Sequence, residues 1–388
     1  MRRAVAGALL AGLVLAAAPA AQARDRWDTE VFALVPTPGY PAHAYVAPNG
    51  RVYEGTYMNP NGDTVPSRVF EYEGDGTLLR SWTVRGQQLD QPHGVQVATS
   101  DGSGRLVLLD KAPPRDLLLD RATGEQSEYA TFPAGSIPNY AAWGPDGALY
   151  VTDYGQAILW RIPPGGGTPE QWLADPRFDG GDFGTTGLEL AADQRTLMVA
   201  VQSQAGGAAG NPATGRLFTI PINPDGTPGE MEQLWESRPA DGPDGFGIAK
   251  SGTIYMSLLA SNQLAVIGPD GKERERFPSA PGPGENGSGV PFDSPSNASF
   301  LGTRVMVASQ SYFAGDRSHH VIHDVETGEE GLPELIPPGP PRVDTPPVAT
   351  PKPKAKRRWS CRRYRTAKKR RACRRTMARR RAAANRRG

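Results

Sequence analysis

No cysteine occurs anywhere from Met1 to Ser360; the two in the chain, Cys361 and Cys373, lie close to the C-terminus. The body of the protein is therefore not stapled by disulfides and depends on a buried core. Histidine is scarce, with five in 388 residues. There is no His-Glu-x-x-His pair, no Gly-x-x-x-x-Gly-Lys loop and no Gly-x-Ser-x-Gly elbow. Those absences remove the zincin, P-loop and serine-hydrolase patterns. Acidic residues are missing from 351–388, a stretch with 19 Lys or Arg. Long uncharged apolar runs are missing everywhere except Ala4–Ala18. At 15 residues that run is shorter than the ~20 a spanning helix needs.

What is present divides the chain into four parts. Met1-Arg2-Arg3, the apolar run, Pro19 and Ala21-Gln22-Ala23 follow the layout of a secretory signal peptide over residues 1–23. An uncleaved anchor is the alternative. The expected location is secreted or associated with the cell envelope. Residues 24–332 form the body, 333–355 a Pro-rich semi-rigid linker, and 356–388 an Arg/Lys-rich tail without an apolar core. With the tail's 19 cations set aside, 24 basic residues face 41 acidic ones in residues 1–350. Such a split marks a separate tail. Its expected partners are anionic wall polymers, lipid head groups or nucleic acid, bound through counterion release; a solvated tail without a partner is the plain alternative. A Cys361–Cys373 bridge requires the tail to double back. One straight helix would hold the two about 18 Å apart, beyond the ~7 Å limit.

The body repeats. Six units align on Pro41-Ala42-His43-Ala44, Pro92-His93-Gly94-Val95, Pro138-Asn139-Tyr140-Ala141, Thr185-Thr186-Gly187-Leu188, Pro243-Asp244-Gly245-Phe246 and Pro295-Ser296-Asn297-Ala298. Each is followed by a Gly or Asp turn and a second strand such as Leu149-Tyr150-Val151. The second residues fall at 42, 93, 139, 186, 244 and 296, so the steps are 51, 46, 47, 58 and 52. About 40–50 residues is one four-stranded propeller blade. The expectation is an all-β, monomeric, six-bladed β-propeller. Asp28–Val35, or else Leu332–Ile336, would supply the outer strand that closes blade six. Trp143 and Trp160 should pack between blades.

In a propeller the equivalent residue of each blade faces one channel mouth. That ring is Ala42, His93, Asn139, Thr186, Asp244 and Ser296, and it is the expected binding place of a small-molecule ligand. Glu54, Asp110 and Asp153 end the second strands one step further out. Glu54 could lean inward to the mouth as a replacement carboxylate; the alternative is that all three acids solvate loop edges. Asn286-Gly287-Ser288 and Asn297-Ala298-Ser299 match the glycosylation pattern. His319, His320 and His323 either bind a metal or pair with acids.

The run Pro-Asn-Tyr-Ala-Ala-Trp-Gly-Pro-Asp-Gly-Ala-Leu-Tyr-Val-Thr-Asp at 138–153 and Pro-Asp-Gly-Phe-Gly-Ile-Ala-Lys-Ser-Gly at 243–252 resemble the family of senescence marker protein, gluconolactonase and luciferin-regenerating enzyme. The similarity covers roughly residues 30–330. It implies hydrolysis of a lactone or small ester with a divalent metal at the channel mouth, calcium first, with zinc or manganese as alternatives. The family's ligands are a first-blade Glu, a fourth-blade Asn and a fifth-blade Asp, with a third-blade Asn toward the substrate. Asp244 matches the Asp, which is both ligand and proposed base. Asn139 matches the third-blade Asn. Thr186 stands at the fourth-blade Asn position, and Ala42, or His43 one step on, at the Glu position. The resemblance thus implies Asp244 and Asn139 as metal donors; His93, at the second-blade ring position and with a nitrogen suited to zinc or another transition metal, could join them, and Asn139, Thr186 and Ser296 are the expected substrate contacts. The same residues also fit a metal-free polar ring around ordered water, the site of a non-catalytic binding propeller.

Overall fold

β-Branched, aromatic and leucine-rich stretches of five to seven residues, separated by Gly-containing turns, give strands and little else. In a computed structural model that describes residues 24–58, 62–180, 184–203 and 214–338, twenty-four strands form six four-stranded sheets. Residues 1–23, read above as a signal peptide, most of 333–355, and 356–388 with both cysteines lie outside the described residues. The only helical segments among those described are two 3-10 turns, Pro176–Phe178 and Arg317–His319. No described helix is long and apolar enough to cross a membrane.

The innermost strands are β2 (Tyr40–Val46), β6 (Val95–Ser100), β10 (Pro138–Trp143), β14 (Thr185–Leu190), β18 (Pro243–Ile248) and β22 (Ser299–Leu301). Each pairs antiparallel with the next: β3 (Val52–Tyr57), β7 (Leu106–Lys111), β11 (Leu149–Asp153), β15 (Thr196–Val201), β19 (Ile254–Leu258) and β23 (Arg304–Ser309). Antiparallel pairing returns the end of each second strand to the mouth where its inner strand began. Blade six is closed by the N-terminal candidate: β1 (Thr29–Leu34) pairs with β24 (Val321–Glu326), Thr29 opposite Val325 and Leu34 opposite Val321. The first strand thereby ties the two ends of the ring together and leaves no open seam.

Apolar side chains fill the spaces between neighbouring blades. Trp143 and Trp160 pack with Val107, Leu109 and Leu118, between blades two and three as expected. At the closing seam Asn297 is 1% exposed. Its amide accepts from the Ala44 and Ala308 N–H groups and donates to the Ala44 and Met306 carbonyls. Asn286 is equally buried, so neither glycosylation match is open in the folded protein. His319 pairs with Asp293 at 2.8 Å and His323 meets the Val290 carbonyl at 3.0 Å.

One expectation fails. Glu54, Asp110 and Asp153 do not solvate loop edges; all three are fully buried. Asp110 holds Arg115 and Gln87. Asp153 accepts from the Ile137 and Gly155 N–H groups and from Trp160. Strand ends in this ring are covered by the next blade, so an acid there must find internal donors.

Candidate functional site

Inner-strand starts and second-strand ends place two sets of side chains at one channel mouth. The first set contains Asn139, Tyr140 and Asp244; the second contains Tyr57, Lys111 and Tyr154. Tyr140 dominates the arrangement. Its hydroxyl leaves blade three, donates to the Ser296 carbonyl of blade six at 2.6 Å and lies 3.3 Å from Asp244 Oδ1 of blade five. The phenol therefore bridges the channel. Gly245 makes room for it, since a Cβ there would sit 2.4 Å from the Tyr140 oxygen. Gly94 does the same for Tyr57, whose ring would lie 2.0 Å from a Cβ.

Electrostatics follow from burial. Desolvation pushes the Asp244 carboxyl up to about 7, against the Tyr140 hydrogen bond and the positive charge of Lys111. Desolvation brings Lys111 down to about 7, opposed by Asp244 and Asp153. The Lys111 ammonium lies 4.0 Å from the centre of the Tyr57 ring and 5.8 Å from that of Tyr154, a cation–π arrangement. Burial also raises the Tyr57 and Tyr140 phenols, so both hydroxyls keep their protons and act as donors. Tyr57 reaches Asn139 Oδ1 at 3.4 Å and packs edge-on against Tyr40, 5.5 Å between ring centres. Glu54 does lean inward: Oε1 accepts from Ala42 and His43 N–H at 2.7 and 2.8 Å, and Oε2 is buried without a partner. Burial raises this carboxyl to about 8. His43 stacks edge-on against Tyr140 at 5.0 Å, and burial lowers it to about 3, so its imidazole is neutral.

The predicted ring divides. Asp244 meets the Tyr140 hydroxyl and Asn139 the Tyr57 hydroxyl. Thr186 and Ser296 are buried at 1% and spend their hydroxyls on neighbouring blades: Thr186 on the Pro243 and Asp244 carbonyls, Ser296 on the Ala42 carbonyl. They stitch inner strands together and do not present a hydroxyl to a ligand. His93 has Nδ1 on the Gln91 carbonyl at 3.0 Å and Nε2 on the Val65 carbonyl at 2.9 Å. Neither nitrogen is left to coordinate an ion. Reading the ring positions alone missed Lys111, Tyr57 and Tyr40. A signal for the first two existed, because each occupies the last position of a second strand.

A divalent ion does not fit this donor set. Calcium takes six to eight oxygens, several charged. Here the Tyr140 hydroxyl stands 3.3 Å from Asp244 and the Tyr57 hydroxyl 3.4 Å from Asn139, Glu54 spends Oε1 on the Ala42 and His43 N–H groups, and an ammonium stands within electrostatic reach. No group of three or more His, Cys, Asp or Glu among the described residues is arranged to hold a metal.

No family model matches the chain, and no curated protein matches it. Solved structures do. A calcium-binding protein, regucalcin, from Agrobacterium tumefaciens aligns over 79% of this chain and 98% of its own, at 16% identity and a TM-score of 0.57. A gluconolactonase from Xanthomonas campestris covers 74% of this chain and 86% of its own, at 16% identity and 0.51. A streptogramin B lyase covers 78% and 99%, at 14% and 0.50. Two of these are propellers of the type that the motifs at 138–153 and 243–252 resemble, while the third has a different activity; at such identities a likeness establishes architecture alone. The chain thus has the six-bladed propeller fold shared by regucalcin and gluconolactonase.

Proposed function

We propose that the chain hydrolyses a small lactone or ester at the mouth that holds Asp244, without a resident metal. The observation that supports this most is the Asp244 carboxyl itself, raised to about 7 by burial and set beside Lys111. A general base works best when its pKa lies near the working pH. In this reading a water gives its proton to Asp244 as its oxygen bonds to the substrate carbonyl carbon. The Lys111 ammonium meets the negative charge that develops on the carbonyl oxygen. The ring C–O bond then breaks, and the leaving alkoxide takes the proton back from Asp244. Tyr140 holds the carboxylate in place, and Tyr57 orients Asn139 toward the substrate.

The test is turnover of a panel of γ- and δ-lactones and phenyl esters by purified protein in excess chelator. Hydrolysis that Asp244→Asn removes is the expected result. No turnover of any member, with saturable ligand binding at this mouth, would replace the reading with that of a non-catalytic binding propeller. The hydroxyls of Thr186 and Ser296, committed to backbone carbonyls, favour that second reading. Export, and attachment of the basic tail to an anionic surface, belong to the same proposal and rest on the amino-acid pattern at the two ends of the chain. Sedimentation with anionic vesicles, wall polymer or nucleic acid, compared between the full chain and one ending at Pro338, tests the attachment.

A further inference from the structure

The opposite end of the channel holds a cavity of about 470 Å³, within the range of small-ligand sites. Its walls include the rings of Tyr45, Trp143 and Phe300, and His43 lines it as well. Two carboxylates share it, Glu189 at the end of β14 and Glu334 from the segment that follows the last strand. Glu334 accepts from Tyr45 at 3.0 Å and from Thr99. Among the described residues Glu189 has no side-chain hydrogen bond or ion pair. Lys250, the cation on this rim, is paired with Glu330 and neutralises neither. His43 is neutral, with Nδ1 buried and unpartnered. The cavity therefore combines aromatic walls with two carboxylates and no countercharge.

We propose that this cavity is a binding site for a small organic ammonium ion, held by Glu189 and Glu334 and faced by the rings of Tyr45, Trp143 and Phe300. Aromatic faces attract a cation that has shed its water, and a strongly hydrated metal ion gains little from them. Desolvation, with Glu334 adding to it, raises Glu189 to about 8, and desolvation raises Glu334 against its hydrogen bonds from Thr99 and Tyr45. A cation that binds there drives protons off, so binding near neutral pH releases protons.

Calorimetry of the full chain with choline, in two buffers of different ionisation enthalpy, tests this. Choline should bind with proton release, and its uncharged isostere 3,3-dimethyl-1-butanol should not. Glu189→Gln and, separately, Glu334→Gln should each weaken choline by about tenfold or more. Asp244→Asn, at the other mouth, should leave the affinity unchanged. Melting curves confirm that each variant is folded, and two independent carboxylate variants keep the test open if one is not. Equal binding of choline and the alcohol, no choline binding, or binding that survives both Gln variants overturns the proposal. Calcium chloride binding in place of choline overturns it too. The lactone assay reports on the other mouth, so the two proposals fail separately.

Discussion

The two mouths of one channel handle their carboxylates differently. At the Asp244 mouth the carboxyl has a phenol within hydrogen-bonding distance and an ammonium within electrostatic reach. At the opposite mouth Glu189 and Glu334 line one cavity, whose lining cation, Lys250, is paired with Glu330. Burial raises the carboxyls at both ends, since desolvation disfavours the charged form. The internal cation makes the first mouth a place where a base and an acid coexist. Its absence at the second leaves a demand for positive charge from outside. Tyr140 and His43 lie in the channel between them, joined ring to ring.

The largest effect that would sharpen this contrast is Asp244→Asn. Loss of the base should cut kcat/KM for a hydrolysed lactone by about 10²–10⁴-fold. A change under threefold would remove Asp244 from the chemistry. Lys111→Met should follow with a smaller loss, about 10–100-fold, and a changed pH profile. Asp244 must be deprotonated, which favours activity above about 7; Lys111 must be charged, which favours it below about 7. The wild-type profile should therefore be bell-shaped around neutrality, its limbs belonging to the coupled pair. The Met variant should lose the alkaline limb, and a profile that keeps it breaks the comparison.

Stability reads the other mouth. A carboxyl raised in the folded state keeps its proton after the unfolded chain has lost its own. Its contribution is fully present below the unfolded value near 4.5 and fades as pH climbs to the folded value. For Glu189 that window ends at about 8. Glu189→Gln should raise the melting temperature at pH 8 by about 2–4 °C and flatten its fall between pH 5 and 8. An unchanged slope in thermal melts would show that the Glu189 charge is already balanced. The smallest expected effect is that of chelator: EDTA should shift neither activity nor melting temperature. A large loss restored by calcium would mean that the Asp244 mouth takes a metal after all.

Much of the architecture was legible. Turn glycines, paired strand patterns and a step of about fifty residues are local features that repeat, so the six units and the ring positions of Asn139 and Asp244 could be read directly. The closing strand could only be narrowed to two candidates. Its choice rests on a long-range pairing, Thr29 opposite Val325. Glu334 falls in both the Pro-rich stretch 333–355 and the closing-strand candidate Leu332–Ile336, and neither reading points it at a cavity. In the structure that glutamate bonds to Tyr45 and Thr99. Tyr140 stood within the most recognisable motif of the chain, yet nothing in the motif says that its hydroxyl spans to blades five and six.

The linear order of residues determined, by itself, the class of fold, the number of blades and which positions meet at a mouth, because periodicity is written one strand at a time. Only the closed ring decided what those positions do. Thr186 and Ser296 became stitches, His93 turned its nitrogens to backbone carbonyls, and Lys111 and Tyr140 came to flank Asp244. Those outcomes depend on which neighbouring blade covers each side chain and how much water burial removes, and both are set by contacts across dozens to hundreds of residues.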